Sequence, residues 1–476
     1  MTLSSRRILY ISFIAVFFIA GGIILFYLQG YRLNTDNNKL QIERTGAIQA
    51  ESEPKGATIN LNGEIVSDKT PATLLSLKPG DYQLGLKLAG FQSWTKTVSV
   101  AASEVTFSGE ITLWPEPNSG EALGIKKINN SWLSPNGENL LYSTKPTAGN
   151  ELWLLNLKSG QSRLLARQAT SEIISLEWSP SSREILTQES SGKNLFWQVF
   201  DLEDNSWQYI TPPEGLNFAI MHWGEGRNLI YGASANELYE FNLRTQSSKL
   251  IWRERLNDFR VYDEVIFALA RQAGEGVSLK LINLSNLTTI PLEENPILST
   301  NVKFLTGNFD WLPLFDADRH SLYLLHSPLS ETKPIRTLPE VTTVSWANDQ
   351  SLVITNNFEI WLYNFNDESP TFVERLSLNL SGALRYGDAP YVLFFSGNEV
   401  WALELDNRGE RQRWQIGKFN NDLVGVFLSP DNKTLTVQTT QDIYRLNLQT
   451  ELNSSEPPAG SPATMIQKYL HLSNSQ

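Results

Sequence analysis

The residues most able to do chemistry stand close together in the segment FDWLPLFDADRH, which carries Asp310, Asp316, Asp318 and His320. Carboxylates two residues apart supply the hard oxygen ligands that Ca²⁺ prefers. A pair of carboxylates is also what a glycosidase uses as acid and base. The same pattern is typical of a polar hairpin turn ahead of a strand at 321–325. The sequence favours the turn, and a Ca²⁺ site and an acid pair are the alternatives.

Other polar residues are also of types that can bind a metal or act in catalysis. The acidic run at 201–205 is interpreted as a turn between strands, and His222 as a histidine whose ring is satisfied within the fold. The chain has no cysteine, which excludes disulfides, Cys-ligated zinc, iron–sulfur clusters and a thiol nucleophile. The four histidines are too few for a histidine-rich metal site; they are His222, His320, His326 and His471.

Common catalytic motifs are absent from the sequence. There is no Gly-x-Ser-x-Gly nucleophile elbow, no phosphate-binding Gly-rich loop, and no His-Glu-x-x-His zinc motif. The sequence therefore predicts no catalytic, cofactor-binding or metal-binding residue, and no cofactor.

The overall charge and composition narrow the class of protein. The formal net charge of −12 argues against nucleic acid as a partner, because phosphate binding needs a basic surface. With 41% hydrophobic and 19% charged residues, the chain of 476 residues can form a packed core. The 30 glycines, 22 prolines and many aromatic residues favour short strands joined by turns.

The N-terminus contains a long apolar run at 8–28 without a charged residue. As a helix, this run would be about 31 Å long, which matches a hydrocarbon core of about 30 Å. Arg6 and Arg7 precede it, so residues 1–7 are expected in the cytoplasm and the bulk of the chain outside. The alternative is a cleaved signal peptide, with small residues at 20–22. Because the apolar run continues over 23–28, the sequence favours a retained single-pass anchor.

A polar spacer is predicted at 29–44, and a small β-domain at 45–114. The β-domain alternates apolar and polar residues with a period of two, and turn signals interrupt it. Asn62-Gly63 favours a tight hairpin in which both residues have φ > 0, and KPGD at 78–81 predicts another turn. These features predict a small sandwich of strands.

An ordered set of motifs in this stretch resembles the PEGA domain. The set comprises PKGA at 54–57, NG at 62–63, TP at 70–71, PGDY at 79–82 and GF at 90–91. Lys55 stands where the family has Glu, at a position expected to be a solvent-facing turn. The resemblance implies a non-catalytic spacer or interaction module of bacterial and archaeal surface proteins.

Internal repeats fill residues 120–452. One element reads acidic, aliphatic, aromatic, any, apolar, polar, apolar, as in ELWLLNL at 151–157, EIWLYNF at 359–365 and EVWALEL at 399–405. A second element, an aromatic or apolar anchor followed by a turn such as Ser134-Pro135 or Ser179-Pro180, precedes each copy. The anchors recur about every 39 to 46 residues, which leaves room for four short strands per unit.

These repeats resemble the blades of TolB-like and WD-repeat-like β-propellers. The fold class is therefore predicted as mainly β: a transmembrane helix, a PEGA-like β-sandwich, and a propeller of seven or eight blades. The Trp and Tyr residues are expected to pack between blades. Residues 453–476 are predicted to form a flexible tail.

The order of parts predicts a non-catalytic, membrane-anchored extracytoplasmic protein with an interaction or scaffold role in the cell envelope. Its expected partners are the membrane and an envelope protein or polysaccharide, and no nucleic acid. The alternative is a propeller-type glycan hydrolase or lyase, which would place two carboxylates near the central channel. An envelope sensor is disfavoured, because about seven residues before the helix are too few for a signalling domain.

Overall fold

The computed structural model describes residues 3–449 apart from short gaps at 29–30, 37–38, 147–148, 169–170, 193, 227, 263, 272–275, 293–295, 306–310, 327–334 and 349. The predicted tail at 453–476 and the candidate residues Asp310 and His471 lie outside the described residues.

The chain begins with one apolar helix, α1 (Leu3–Leu28), followed by the strands β1 (Tyr31–Asp36) and β2 (Lys39–Arg44). The window Leu9–Phe26 has a mean hydropathy of 2.6 and none of it is buried against the rest of the protein. Its length and composition suit a membrane span. The two strands pair as a hairpin inside the predicted spacer, with the Arg44 guanidinium 4.7 Å from the centre of the Tyr31 ring.

Seven strands then form the sandwich domain. They are β3 (Gly46–Glu53), β4 (Thr58–Leu61), β5 (Glu64–Lys69), β6 (Ala72–Leu77), β7 (Gly80–Lys87), β8 (Trp94–Val100) and β9 (Val105–Thr112). One sheet has the order β6-β3-β9 and the other β5-β4-β7-β8. Ile48, Ile59, Leu84 and Leu86 are buried between them. Asn62 and Gly63 both have positive φ, 52° and 91°, as the predicted tight hairpin requires.

The rest of the described chain forms a ring of eight antiparallel blades, of which seven have four strands and blade 4 has five. The first strand of the ring is β10 (Glu121–Lys126), and the strands of blades 1 to 4 follow it: blade 1 has β11 (Ile128–Leu133), β12 (Asn139–Thr144), β13 (Asn150–Asn156) and β14 (Ser162–Gln168); blade 2 has β15 (Glu172–Trp178), β16 (Glu184–Ser191), β17 (Asn194–Asp201) and β18 (Ser206–Ile210); blade 3 has β19 (Ile220–Trp223), β20 (Leu229–Ala233), β21 (Leu238–Asn242) and β22 (Ser247–Trp252); and blade 4 has β23 (Leu256–Tyr262), β24 (Val265–Arg271), β25 (Val277–Asn283), β26 (Thr289–Ile290) and an extra β27 (Ile297–Leu298). Blade 5 has β28 (Val302–Phe304), β29 (Trp311–Asp316), β30 (Ser321–His326) and β31 (Arg336–Leu338); blade 6 has β32 (Thr343–Asn348), β33 (Ser351–Thr355), β34 (Glu359–Asn364) and β35 (Ser369–Arg375); and blade 7 has β36 (Gly382–Arg385), β37 (Tyr391–Ser396), β38 (Glu399–Glu404) and β39 (Arg413–Lys418). Blade 8 consists of the last three strands, β40 (Leu423–Leu428), β41 (Thr434–Thr439) and β42 (Asp442–Asn447), together with β10.

The ring closes because its first strand completes its last blade. β10 pairs with β42, so blade 8 combines strands from both ends of the propeller. Each junction between neighbouring blades has its own buried apolar cluster, including the junction between blades 8 and 1. The predicted mainly-β fold is confirmed, and the described residues form eight blades.

The two repeated sequence elements have clear structural roles. In blade 2 the Ser-Pro turn joins the first strand to the second, and the Ser179 hydroxyl accepts the Glu184 N–H at 3.0 Å. Trp178, just before it, donates its indole N–H to the Trp132 carbonyl of blade 1 at 3.1 Å. Trp223 of blade 3 does the same to the Glu177 carbonyl of blade 2 at 3.3 Å. The anchors Trp178 and Trp223 therefore join blades 2 and 3 to the blade before them.

The acidic residue of the other element begins the third strand of several blades and is bonded there. The Glu151 carboxylate accepts the Trp153 indole N–H at 3.1 Å and pairs with Arg167 of the fourth strand at 2.7 Å. The equivalent pairs in blades 3, 6 and 7 are Glu237–Arg253, Glu359–Arg375 and Glu399–Lys418. Each such pair joins the start of the third strand of a blade to the fourth strand, at the outer edge of that blade.

Candidate functional site

The aspartates that the sequence singled out in blade 5 hold a turn together. The Asp316 carboxylate is 0% exposed and accepts the backbone N–H and the hydroxyl of Ser299 at 2.8 and 2.6 Å. It also accepts the backbone N–H of Arg319 at 3.1 Å. Asp318 accepts an amide N–H of Asn301 at 3.0 Å. These bonds support the interpretation of this segment as a turn.

The described residues of this segment, which leave out Asp310, are also not grouped as metal ligands. Among the described residues, no group of three or more His, Asp or Glu side chains is placed to hold a metal ion. His320 has a φ of 50° at the end of the turn, and its carbonyl accepts the Val341 N–H at 2.7 Å. At 201–205, Asp201 likewise accepts the N–H groups of Glu203 and Asp204, as a turn residue does.

A second cluster of charged residues joins the inner strands, which are the first strands of the blades. His222 on β19 donates from Nδ1 to the Glu177 carboxylate on β15 at 2.6 Å. From Nε2 it donates to the Asp258 carboxylate on β23 at 2.8 Å. Arg260, also on β23, lies 3.7 Å from the Glu177 carboxylate. His222 therefore connects blades 2, 3 and 4 through its two ring nitrogens.

We name the cluster of Glu177, His222, Asp258 and Arg260 the channel network, because the inner strands of a propeller surround its central channel. The ionisation of the channel network follows from its geometry. Burial and the Arg260 charge act to lower the pKa of His222, but Glu177 and the two hydrogen bonds outweigh them and raise it. Burial acts to raise the pKa of Glu177, yet Arg260 and His222 hold it below its usual value. The pKa of Asp258 is lowered in the same way, chiefly by its bond to His222. Below the raised pKa of His222, the network is thus two carboxylates balanced by an imidazolium and a guanidinium.

Such a balanced network is suited to joining blades rather than to binding a further ion. His222 is only 12% exposed, and both of its nitrogens are occupied. The sequence interpretation of His222 as a residue whose ring is hydrogen-bonded within the fold agrees with this geometry. The sequence analysis did not predict that its partners are Glu177 and Asp258. A signal was present, since Glu177 and His222 each directly precede a Trp anchor and so occupy the same position in adjacent repeats.

The third cluster lies where the sandwich domain meets blade 7. The Lys96 ammonium lies 2.8 Å from the Glu404 carboxylate and 3.3 Å from that of Asp406. The Trp94 indole donates to the other oxygen of Glu404 at 3.1 Å. Lys96 and Glu404 are 4% and 3% exposed, so this is a buried ion pair between the two domains.

Aromatic rings and backbone bonds extend this junction. The Trp114 ring contacts those of Tyr386 and Tyr391, with ring centres 4.9 and 5.4 Å apart. The Tyr391 hydroxyl accepts the Thr112 N–H at 3.0 Å, and the Trp414 indole donates to the Ser93 carbonyl at 3.2 Å. The buried residues of the sandwich domain and of blades 7 and 8 form one continuous apolar cluster. The two domains therefore share a core.

Comparison with protein families identifies both domains. The PEGA domain model matches residues 45–115. The model of the Pep3/Vps18/deep orange β-propeller domain matches residues 115–312. No curated protein matches the chain. The resemblance to TolB-like propellers in particular stays a prediction.

Solved structures of several kinds are similar to the chain. A eukaryotic initiation factor structure is 14% identical, with a TM-score of 0.47, and the match covers 75% of this chain and 91% of that one. Dipeptidyl peptidase 4 of Porphyromonas gingivalis is 12% identical, with a TM-score of 0.47 and coverage of 71% and 60%. Oligogalacturonate lyase of Vibrio parahaemolyticus is 13% identical, with a TM-score of 0.41 and coverage of 62% and 92%. Matches this distant carry no argument about activity.

Taken together, the family matches and the strand order describe a chain with one apolar N-terminal helix that could span a membrane, a PEGA domain and a β-propeller.

Proposed function

We propose that this protein is a non-catalytic, membrane-anchored interaction protein that holds its propeller at a fixed orientation in the extracytoplasmic space. The N-terminal apolar helix serves as the anchor in this proposal. The PEGA domain, which resembles a module of surface proteins, lies between the anchor and the propeller. A cell-envelope protein or polysaccharide is the partner that the propeller binds.

The observation that carries the proposal is the buried junction between the sandwich domain and blade 7. A flexible spacer would leave the propeller free to turn, but here Lys96, Trp94 and Trp114 are buried against one blade. The contacts on blade 7 come from its outer strand, from the loops at 386–390 and 405–412, and from Tyr391 and Glu404 at the strand ends beside those loops. Those loops lie on one side of the ring, which we name the near face. The opposite side, the far face, is the side that the partner binds in this proposal.

The near and far faces follow from strand direction alone. In an antiparallel blade, the turn between the first and second strands and the turn between the third and fourth lie on the same side. The turn between the second and third strands, and the link to the next blade, lie on the other. The sandwich domain occupies the near side of blade 7, so the far face points away from the domain that follows the anchor.

The glycan hydrolase or lyase alternative gains no specific support from the described residues. Asp316 is fully buried in a turn, and Glu177 and Asp258 are bound to His222. The acidic residues that begin the third strands are paired with cations of the fourth strands. We therefore put forward the interaction role alone.

The topology in this proposal can be tested because the chain has no cysteine. Single cysteines are placed at the exposed positions Glu64 and Gln441, and at Ser5 before the apolar run. Each of the three variants then has one thiol, so no native cysteine contributes to the labelling. A membrane-impermeant maleimide added to intact spheroplasts should label the first two variants, and should label Ser5→Cys only after lysis. Labelling of Glu64→Cys and Gln441→Cys only after lysis would contradict the proposal.

Partner binding needs a separate experiment. A proximity-labelling enzyme fused to the C-terminus of the full chain would be compared with the same enzyme fused to residues 1–44 alone. The proposal predicts envelope components that are enriched with the full chain and not with the anchor alone. Identical labelled sets would contradict an interaction role for the propeller.

A further inference from the structure

The far face carries a cavity of about 570 Å³ between blades 5 and 6. Three segments line it: the blade 5 turn with Arg319 and His320, the link that includes Glu340, and the blade 6 turn with Phe358. A volume of this size is within the range of small-molecule sites, which runs from about 300 to 1,000 Å³. The cavity lies on the side of the ring away from the sandwich domain, where an external ligand has access.

Phe358 gives this cavity an apolar wall that the fold holds in place. The Phe358 side chain is 45% exposed although the residue is large and apolar. Its N–H donates to the Asn356 side chain at 2.9 Å, and its carbonyl accepts the Leu376 N–H at 2.7 Å. The next carbonyl back, that of Asn357, accepts the Leu380 N–H at 2.8 Å. The ring is thus presented by a turn that is bonded on both sides.

The polar wall of the cavity has hydrogen-bonding groups of both kinds and balanced charge. Two arginines, Arg319 and Arg375, and two glutamates, Glu340 and Glu359, line the cavity together with Asn356 and Asn357. Glu359 and Arg375 form the strand-joining pair common to several blades, at 3.4 Å. Phe358, Glu340 and Arg319 also line the cavity and are not members of such a strand-joining pair. A ligand with net charge would therefore gain little from the cavity as a whole.

We infer that this cavity is a binding site for an uncharged saccharide unit of a larger glycan. A sugar ring has an apolar C–H face that fits the flat, electron-rich face of an aromatic ring. Its edge carries hydroxyl groups that both donate and accept, which matches carboxylates, guanidinium groups and amides placed around one aromatic ring. The inference rests on the proposed function, because it names the class of envelope partner that the far face binds.

Binding is measured on the full chain in phospholipid nanodiscs, since detergents with sugar headgroups would compete. The probes are uncharged tetrasaccharides of glucose, mannose and N-acetylglucosamine, titrated by calorimetry, with tetragalacturonate as the anionic comparison. At least one uncharged probe should bind, and tetragalacturonate should bind at least tenfold more weakly. Phe358→Ala should weaken binding of the uncharged probe at least tenfold, because it removes the stacking surface.

Phe372→Ala is the matched control, since Phe372 on β35 of the same blade is 44% exposed and does not line the cavity. Its affinity should stay within twofold of the unaltered protein, and circular dichroism shows that both variants fold. No binding by any uncharged probe, equal loss in both variants, or preference for tetragalacturonate would overturn the inference. If maleimide labelling places the propeller outside the cell but no uncharged saccharide binds, only the saccharide inference is wrong. If labelling places the propeller inside the cell, the proposed function itself is wrong.

Discussion

Ser179 shows how a single residue of the repeat maintains the fold. Its hydroxyl is buried and accepts the Glu184 N–H, and Ser134 and Ser429 do the same for Asn139 and Thr434 at 3.0 Å. Ser179→Ala leaves that part-buried N–H without its side-chain acceptor, so we expect a loss of about 0.5–1.5 kcal/mol in the free energy of unfolding. Thermal and chemical denaturation measure it. Ser247→Ala, at an exposed position, should change stability by less than about 0.5 kcal/mol; equal losses would contradict this role for Ser179.

His222 makes the stability of the channel network depend on pH. A raised folded-state pKa means that the His222 contribution is complete below its ordinary value of 6.5 and is lost as pH rises through the folded value. Glu177 has a lowered pKa, so its contribution is present above its ordinary value of 4.5 and is lost as pH falls through the folded value. The melting temperature of the unaltered protein should exceed that of His222→Gln most between about pH 5 and 6, and the difference should shrink at alkaline pH. A difference that grows at alkaline pH would refute the assigned charges.

The residue-scale features differ in how far the sequence predicts them. The Ser-Pro turn recurs with the same spacing, and a turn is a local structure, so it could be read from three copies. The repeat places His222 and Glu177 at equivalent positions but does not predict the bonds of His222, because Glu177 and Asp258 lie 45 and 36 residues away. Phe358 gave no signal either, since one exposed aromatic residue in a turn has the same sequence pattern as a buried one.

Among the elements, β10 has the decisive position because it closes the ring. Gly120 precedes it with a φ of 64°, and an added Cβ would lie 2.5 Å from the Arg445 carbonyl oxygen of β42. Gly120→Ala should therefore displace β10 from blade 8. Hydrogen exchange followed by mass spectrometry should show faster exchange in β10 and β42 than in the unaltered protein.

Gly124 supplies the matched control for this element. It has a similar φ of 69°, but an added Cβ would meet no atom within 4 Å. Gly124→Ala therefore has the same backbone cost without the collision, and its exchange should rise less. Equal exchange in the two variants would show that the close approach to Arg445 does not matter.

The strands that the sequence pattern identified are those inside a repeat. The acidic and aromatic element predicts the third strand of each blade, because the pattern recurs at a constant period. The pairing of β10 with β42 joins residues about 320 positions apart and follows no local pattern. The strands β1 and β2 also lie in what was predicted as a polar spacer, since a short polar hairpin has no apolar alternation to reveal it.

At the scale of the whole molecule, the buried pair of Lys96 and Glu404 fixes one domain on the other. Lys96→Ala leaves Glu404 buried without its cation, and such a loss costs about 3–5 kcal/mol. The double variant Lys96→Met/Glu404→Leu replaces both charges with apolar groups and should be more stable than Lys96→Ala. Differential scanning calorimetry of the full chain measures both. If the single variant were as stable as the unaltered protein, the junction would not depend on this pair.

This junction could not be predicted from the sequence, which indicated a spacer. Many of its contacts join residues 92–96 to residues 404–415, and no repeat or motif relates the two segments. Each side also has an ordinary local explanation, as a strand residue of the PEGA domain or as a blade turn. Only the folded arrangement shows that the two segments share one core.

The central claim is that the sandwich domain and the propeller move as one body, and the distance between them tests it most directly. The cysteine-free chain allows spin labels at Glu64→Cys and Gln441→Cys in the full protein, measured by double electron–electron resonance in nanodiscs. The account predicts one narrow distance distribution that broadens when Lys96→Ala is added. A broad distribution in the protein with an intact Lys96 would contradict it.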